Sequence, residues 1–219
     1  MRIVVFGATG RTGGPLVEQA LERGHEVVAF ARDPARLSAG VREDARVTVI
    51  QGDVTDAADV ARAVGGDGDP VDAVVSVLGQ TSDGPEDLLT VAAGHLLAAM
   101  DEHDVERLVT LVGAAVREEG ESVTLGGKVM GALLKLLARA ALEDARDHVE
   151  LVRAGDRRWT VVRAPRLTEG DHTGEFEHGG DLGLGVGDAA ARANVADFVL
   201  DCLEDDLYVG EMPKVTDAR

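Results

Sequence analysis

The sequence predicts an α/β fold, with a doubly wound, mostly parallel sheet of seven strands covered by helices on both faces. Short apolar runs bounded by turn residues alternate with longer segments of helical periodicity along the 219 residues, as in consecutive βαβ units. The run Asp72–Leu78 is almost wholly apolar, which is typical of a central strand covered on both faces. No internal repeat or linker divides the chain, so we expect one domain over residues 1–219.

The first half supplies four strands that end at turn residues: Arg2–Phe6, Glu26–Ala31, Arg46–Gln51 and Asp72–Leu78. The first helix begins near Gly13, has Pro15 in its first turn and stops at Gly24, because proline suits the start of a helix and glycine its end. A short helix, Pro34–Leu37, follows the second strand. Thr55 or Asp56 caps the next helix, which ends at the pair Gly65 and Gly66.

The second half supplies three more strands: Arg107–Val112, Trp159–Arg163 and Leu207–Lys214. Helical periodicity predicts the remaining helices, which span Leu88–His103, Leu125–Leu142, Glu143–Ala154 and Asn194–Leu203. The glycine-rich stretch Arg166–Asp188 has no periodicity and is predicted as a loop. A loop this long in a compact domain is usually functional, so we expect it to lie on the substrate side.

Composition excludes several classes of protein. Asp and Glu number 40 against 22 Lys and Arg, and this acidic surface would repel nucleic acid and anionic membranes. Acidic residues are dispersed and lysines are few, which resembles proteins of salt-loving archaea and predicts a halophilic, haloarchaeal protein; an ordinary acidic cytosolic protein is the alternative. The only cysteine, Cys202, allows neither an intrachain disulfide nor a cysteine metal cluster, and we expect no metal site.

The chain starts directly on strand-like residues and has no long apolar run, so we expect a cytoplasmic protein. Because the acidic charge of the chain disfavours nucleic acid and anionic membranes as partners, we expect the partner to be a small molecule. The sequence does not decide between a monomer and a homodimer.

The stretch FGATGRTGGPL places Gly7, Gly10 and Gly13 in a G-x-x-G-x-x-G spacing between the first strand and the first helix. In such a junction the first glycine makes a tight turn, the second lets the backbone approach a pyrophosphate, and the third lets the helix pack against the strand. The helix N-terminus then directs free N–H groups at the phosphates. The sequence therefore predicts a dinucleotide site.

The end of the second strand indicates which dinucleotide is bound. An acid there would bind the adenosine ribose of NAD, whereas an arginine would accept the 2′-phosphate of NADP. Arg32 occupies this position, and Arg11 in the glycine stretch could bind the same phosphate or the pyrophosphate. Asp33, the next residue, is an acid that could bind the ribose of NAD. NADP(H) is therefore favoured, and NAD(H) remains the alternative.

The motifs GATGRTG, FARDP, VIQGDVTD, AVVSVLG and WTVVRAPRLTEG follow one another along the chain. In this order they resemble the atypical short-chain dehydrogenase/reductase superfamily, and within it the NmrA-like proteins and the flavin reductases of the biliverdin-IXβ reductase type. The resemblance covers nearly the whole chain. It implies a Rossmann sheet of strand order 3-2-1-4-5-6-7, with NAD(P)H across the carboxyl ends of the strands.

The same resemblance assigns cofactor contacts to residues that follow successive strands. The pyrophosphate would be held by Gly7, Thr9, Gly10, Arg11, Thr12 and Gly13. The 2′-phosphate and adenine would be held by Arg32, Asp53 and Val54. The ribose and nicotinamide side would be lined by Leu78, Gly79, Val112, Gly113, Ala164 and Pro165.

Residues that protonate a carbonyl substrate in many members of this superfamily are missing. The only tyrosine, Tyr208, lies outside any Tyr-x-x-x-Lys motif, and Val112 and Gly113 stand where relatives often have serines. The helix before Trp159 lacks the usual lysine, and we expect its His148 to lie at the surface. Tyrosine-assisted reduction of a ketone is therefore not expected.

A hydride acceptor that takes its proton from water needs no such acid. We therefore predict a reductase that passes hydride from NADP(H) to a flavin, a quinone or a similar conjugated acceptor, with no catalytic side chain assigned. Arg166 and Phe176 are the candidate acceptor contacts, while His172 and His178 are expected to be solvated. The alternative is an NmrA-like protein that binds NADP(H) as a sensor without turnover.

Overall fold

The computed structural model describes residues 1–80, 84–118, 121, 138–185 and 187–218. Its strands are β1 (Arg2–Phe6), β2 (Glu26–Ala31), β3 (Val47–Gln51), β4 (Ala73–Ser76), β5 (Arg107–Gly113), β6 (Arg158–Ala164), β7 (Arg166–Thr168), β8 (Phe176–Gly179), β9 (Ala189–Ala191) and β10 (Lys214–Asp217). Its α-helices are α1 (Gly13–Glu22), α2 (Ala39–Glu43), α3 (Ala57–Val64), α4 (Leu88–Glu102), α5 (Arg139–Ala154) and α6 (Arg192–Glu204). A 3₁₀ helix spans Pro34–Arg36.

The main sheet confirms the predicted α/β class and has eight strands in the order β3-β2-β1-β4-β5-β6-β10-β8. Its pairings are parallel from β3 to β10, and only β8 is antiparallel, to β10. β7 and β9 form a separate parallel pair. The predicted order of seven strands is therefore present, with β10 in seventh place and β8 added at the edge.

Alternate residues of the central strands pack into two cores. Val4 and Phe6 face the core beneath α3, α4 and α5, whereas Ile3 and Val5 face the core beneath α1 and α6. This alternation explains why β1 and β4 are apolar at every position except Arg2 and Ser76. In the described part of the chain, no helix has the length and apolar character needed to cross a membrane.

Two predictions about the C-terminal third are wrong in detail. The last strand begins at Lys214 rather than Leu207, because Asp206, Tyr208 and Gly210 have positive φ angles of 52°, 56° and 78° and cannot continue an extended strand. The segment Arg166–Asp188 is not wholly a loop, since it contains β7 and β8. The predicted helix Leu125–Leu142 lies outside the described residues except for its last part, which belongs to α5.

Cys202 and His148 are both buried. Cys202 is completely buried in α6, and burial raises the pKa of its thiol to about 12, as expected for a packing residue. The predicted surface position of His148 is wrong, because α5 packs that face of the helix against α4 and β5. Beside it, the buried carboxylate of Asp144 accepts hydrogen bonds from the backbone N–H groups of Leu89 and Thr90 at the start of α4.

The His148 imidazole is held in one tautomer. Its Nδ1 donates to the Leu89 carbonyl oxygen over 3.0 Å, so in the neutral ring Nε2 accepts from the Thr110 hydroxyl over 3.0 Å. Burial lowers the pKa of His148, while the Leu89 carbonyl and the Asp144 charge raise it less. The folded chain therefore binds this proton less readily than the unfolded chain.

We expect the free energy of unfolding to fall as the pH drops below about 6.5, where the unfolded chain begins to protonate His148. The drop is expected to be steeper in the wild type than in His148→Asn, by up to about 1.4 kcal/mol per pH unit, because asparagine does not titrate. Urea unfolding followed by circular dichroism between pH 7.5 and 5.5 measures both profiles. Parallel profiles would show that His148 does not carry this dependence.

Candidate cofactor-binding site

The carboxyl ends of six adjacent parallel strands, β1 to β6, bring the predicted site residues to one edge of the sheet. The assigned residues follow directly at or after those ends, and they include Gly7, Arg32, Asp53, Leu78, Gly113 and Pro165. β1 lies between β2 and β4, so the chain order reverses beside the glycine-rich stretch. Ligands of open α/β sheets bind at such a switch point.

The turn after β1 can be built only with glycine at two of its positions. Gly7 has a φ of 90°, and a Cβ there would lie 2.9 Å from the Val77 carbonyl oxygen. A Cβ on Gly13 would overlap the Gly7 carbonyl oxygen and lie 2.8 Å from the Ala8 Cα. Gly10 N–H closes the turn by donating to the Gly7 carbonyl over 2.8 Å. The first turn of α1 is thereby packed directly against the end of β1.

The N-terminus of α1 is open to an anion. Thr12 is its N-cap residue but makes no capping hydrogen bond through its side chain, and the first turn contains no acidic residue. The helix terminus therefore keeps its partial positive charge, although Gly14 N–H already donates to the Gly10 carbonyl over 3.0 Å and Pro15 has no N–H. This arrangement fits a dinucleotide pyrophosphate, with Arg11 at the exposed side of the loop.

Arg32 lies directly after β2 with its side chain exposed, and it makes no salt bridge to any described residue. Its neighbour Asp33 is engaged locally, because its carboxylate accepts a hydrogen bond from Ala35 N–H at the start of the 3₁₀ helix. The Arg32 carbonyl accepts from the Gln51 side chain over 3.2 Å. Arg32 is thus held in place through its backbone while its guanidinium remains available for a ligand.

The residues after β3 form a hydrogen-bonded turn. Asp53 accepts from the backbone N–H and hydroxyl of Thr55, which lowers the pKa of the Asp53 carboxyl, and Arg32 lowers it further. The Val54 side chain is buried, and its carbonyl oxygen accepts from Nδ1 of His95 on α4 over 3.0 Å. No local pattern predicts this role for His95, because its partner is 41 residues away.

The ends of β4, β5 and β6 are lined by backbone and apolar groups. Val112 and Ala164 are buried, Leu78 and Pro165 are half-buried, and Gly113 is exposed. None of these residues carries a side-chain acid or base, so the edge offers shape and backbone groups to a ligand.

The two candidate acceptor contacts occupy different places. Arg166 is exposed and follows Pro165 directly at the end of β6. Phe176 lies on β8, two strands further out, where its ring packs against Phe198 with centroids 5.8 Å apart. The structure gives Phe176 a packing role, and its contact with an acceptor stays a prediction.

The segment between β7 and β8 is fastened to α6. The Asn194 side-chain oxygen accepts from the N–H groups of Thr173 and Gly174, and its amide donates to Asp217 over 2.8 Å. His172, expected to be solvated, is exposed, and its Nε2 lies 2.8 Å from an Asp197 carboxylate oxygen. The strand ends are therefore flanked by a segment with fixed contacts to the helix layer.

The tyrosine lies at the outer edge of the sheet. His178 Nδ1 and the Tyr208 hydroxyl are 2.8 Å apart, and the His178 ring stacks on Phe198 at 4.6 Å. His178 is therefore exposed, as expected, but it lies on β8 rather than in a loop and its ring packs in an aromatic cluster. Among the residues that the structure describes, no group of three or more His, Cys, Asp or Glu side chains is placed to hold a metal ion.

Similar curated proteins include one that aligns over nearly the whole chain and others that align over about a third of it. The chain is 23% identical over 209 residues to the uncharacterized protein YwnB of Bacillus subtilis (strain 168), covering 94% of this chain and 92% of that protein. It is 45% identical over 65 residues to a 3-beta-hydroxysteroid dehydrogenase of Mycolicibacterium neoaurum, covering 30% of this chain and 17% of that enzyme. The chain thus matches less than a fifth of that enzyme's length.

Solved structures share the whole fold. A short-chain dehydrogenase/reductase (wide type) from Veillonella parvula DSM 2008, in complex with NADP, superposes with a TM-score of 0.81 at 16% identity, over 98% of this chain and 93% of that one. SP1627 from Streptococcus pneumoniae TIGR4, provisionally described as an NADH-flavin reductase, gives a TM-score of 0.75 at 20% identity over 100% of both chains.

A family model described as NAD(P)H-binding matches residues 7–206, from the first glycine of the turn to the residues after α6. The match includes every residue assigned to the site, from Gly7 to Pro165. It confirms the resemblance and the class of cofactor that the glycine spacing predicts. The chain therefore belongs to the NAD(P)H-binding family that this model describes, and its sheet has the strand order of a Rossmann fold.

Proposed function

We propose that the chain is an NADP(H)-dependent reductase that passes hydride to a flavin, a quinone or a similar conjugated small molecule. The observation that carries this proposal is the composition of the strand ends. A glycine turn and an open helix N-terminus would bind the dinucleotide, while Val112, Gly113 and Ala164 supply no side-chain proton donor where the acceptor would meet it.

The chain's own residues would act by binding and orientation. The turn from Gly7 to Gly13 would hold the pyrophosphate, and Arg32 would hold the 2′-phosphate. Leu78, Val112 and Pro165 would keep the nicotinamide half in an apolar setting, with Arg166 beside the acceptor. The reduced nicotinamide supplies a hydride when bound, and an acceptor with a conjugated ring collects its proton from water.

Preference for NADP(H) is supported by the local charges at the end of β2. Arg32 is exposed without a salt-bridge partner among the described residues, and Asp33 is turned toward Ala35 N–H. The carboxylate that would favour NAD is therefore engaged in the turn, while the guanidinium that would favour NADP is available.

The test is NADPH oxidation followed at 340 nm with FMN, riboflavin and a water-soluble quinone, beside direct binding measured by cofactor fluorescence. We expect tight NADPH binding and acceptor-dependent oxidation that persists in Tyr208→Phe. Binding without oxidation by any acceptor would instead support the sensor alternative, because the described strand ends, where Val112, Gly113 and Ala164 carry no proton donor, suit both proposals. Failure to bind NADPH or NADH would contradict both proposals.

A further inference from the structure

One carboxylate joins two arginines beside the glycine turn. Glu169 Oε1, just beyond β7, accepts from Arg11 Nη1 over 3.2 Å and from Arg192 Nη1 over 2.7 Å. Arg11 belongs to the turn after β1, and Arg192 is the first residue of α6. A single oxygen therefore brings together two cations that are 181 positions apart in the sequence.

The three side chains differ in exposure. Arg192 is only 12% exposed, whereas Glu169 and Arg11 are 63% and 75% exposed. A largely buried guanidinium needs a counter-charge close by, and among the described residues only Glu169 forms a salt bridge with Arg192. Glu169 itself is exposed, so its side chain is free to rotate away when another anion takes its place.

The surroundings of the two arginines favour an anion. α1 and α6 pack side by side, and Gln19 of α1 donates to the Ala193 carbonyl over 3.0 Å. Neither helix has an acidic residue in its first turn or a side-chain cap. Two guanidinium groups thus bind the Glu169 carboxylate beside α1 and α6, while the backbone N–H of Ala191, the N-cap residue of α6, donates to the Asp217 carboxylate over 2.9 Å.

We propose that Arg11 and Arg192 form a phosphate-binding pair, and that Glu169 is an internal anion that closes this pair until a phosphate displaces it. Guanidinium groups bind carboxylate and phosphate oxygens with the same fork of donors, so one can replace the other. The inference rests on the proposed function, since the phosphate would come from the pyrophosphate of the dinucleotide or from a flavin mononucleotide acceptor. It adds Arg192 and Glu169 to the predicted site.

The first test is NADPH affinity at one fixed ionic strength. We expect Glu169→Gln to bind NADPH about two- to tenfold more tightly, because the competing charge is gone while the side chain keeps its size. Asp171→Asn is the matched control: it removes the same charge from an exposed residue two positions further along, and its affinity is expected to stay near that of the wild type. Equal tightening in both variants, or a Glu169→Gln variant in which neither the Kd of NADPH nor the KM for FMN falls, overturns the inference.

A second comparison asks whether Glu169 acts through the arginines. Arg192→Gln is expected to weaken NADPH binding about three- to tenfold, and the gain from Glu169→Gln should shrink when both changes are combined. A gain of the same size in the double variant would show that Glu169 acts only as a distant charge. Circular dichroism melts establish that each variant is folded.

Comparing FMN, which carries a phosphate, with riboflavin, which does not, shows whether the bound phosphate belongs to the dinucleotide or to the acceptor. If it belongs to the dinucleotide, Glu169→Gln changes the Kd of NADPH and leaves the ratio of the KM values for FMN and riboflavin unchanged. If it belongs to the acceptor, only the KM for FMN falls. Should the wild type bind no NADPH, titration with inorganic pyrophosphate separates the two proposals, since tighter binding by Glu169→Gln would support the arginine pair alone and unchanged binding would overturn it.

Discussion

Gly13→Ala is expected to lower the affinity for NADPH by roughly 100-fold or more and to destabilise the fold by about 2–4 kcal/mol. The added methyl group would overlap the Gly7 carbonyl oxygen and press on Gly7 C at 2.7 Å, so α1 would have to move away from the end of β1. The backbone N–H groups that would bind the pyrophosphate move with it. Fluorescence titration with NADPH and a urea melt measure the two effects.

Gly14→Ala is the matched control for this change. A Cβ on Gly14 meets no atom within 4 Å, and the residue lies inside the first turn of α1. Alanine there should raise the stability by up to about 1 kcal/mol, because it favours the helical backbone, and NADPH affinity should change little. If Gly13→Ala bound NADPH as well as Gly14→Ala does, the close contact between Gly7 and Gly13 would not be what shapes the site.

Arg32→Gln is expected to weaken NADPH binding by roughly ten- to 100-fold while changing NADH binding less than threefold, since a hydrogen bond to a charged group contributes about 1.5–3 kcal/mol. NADH lacks the 2′-phosphate that the guanidinium would bind. Affinities for both cofactors, measured at the same ionic strength, give the selectivity directly.

Arg42→Gln, which removes one positive charge from an exposed position on α2, serves as its control. It should leave the ratio of the two affinities unchanged. Equal losses for NADPH and NADH in Arg32→Gln would mean that Arg32 does not distinguish the cofactors.

The helices and strands of the N-terminal half, which carries the glycine turn, can be predicted from local sequence signals. Proline and glycine positions predict a helix from near Gly13 to Gly24, and α1 spans Gly13–Glu22; the strands before it and after it are apolar runs with clear ends. Only the short helix α2, over Ala39–Glu43, was missed, and Ser38 caps it over 3.3 Å. Local chemistry is sufficient here because each element is bounded by residues that stop it.

The C-terminal third depends on long-range contacts, which leave little trace in the sequence. β8 is a strand only because β10 pairs with it, and its residues alternate no more clearly than a loop does. Arg192 and Asn194 likewise gain their roles from partners on other elements, such as Glu169 and Thr173. The surface prediction for His148 was wrong because the polar residues on its helix face suggest exposure. In the structure that face is buried, with Asp144 beside His148 and the Thr110 hydroxyl hydrogen-bonded to it.

The position of β10 has a consequence for synthesis of the chain. β10 is inserted between β6 and β8, although it follows β8 by more than thirty residues. As the chain leaves the ribosome, β1, β2 and the glycine turn can pair early, whereas Phe176–Gly179 must wait for Lys214–Asp217 before finding a neighbour. The nucleotide half can therefore assemble first, and the outer edge of the sheet closes last.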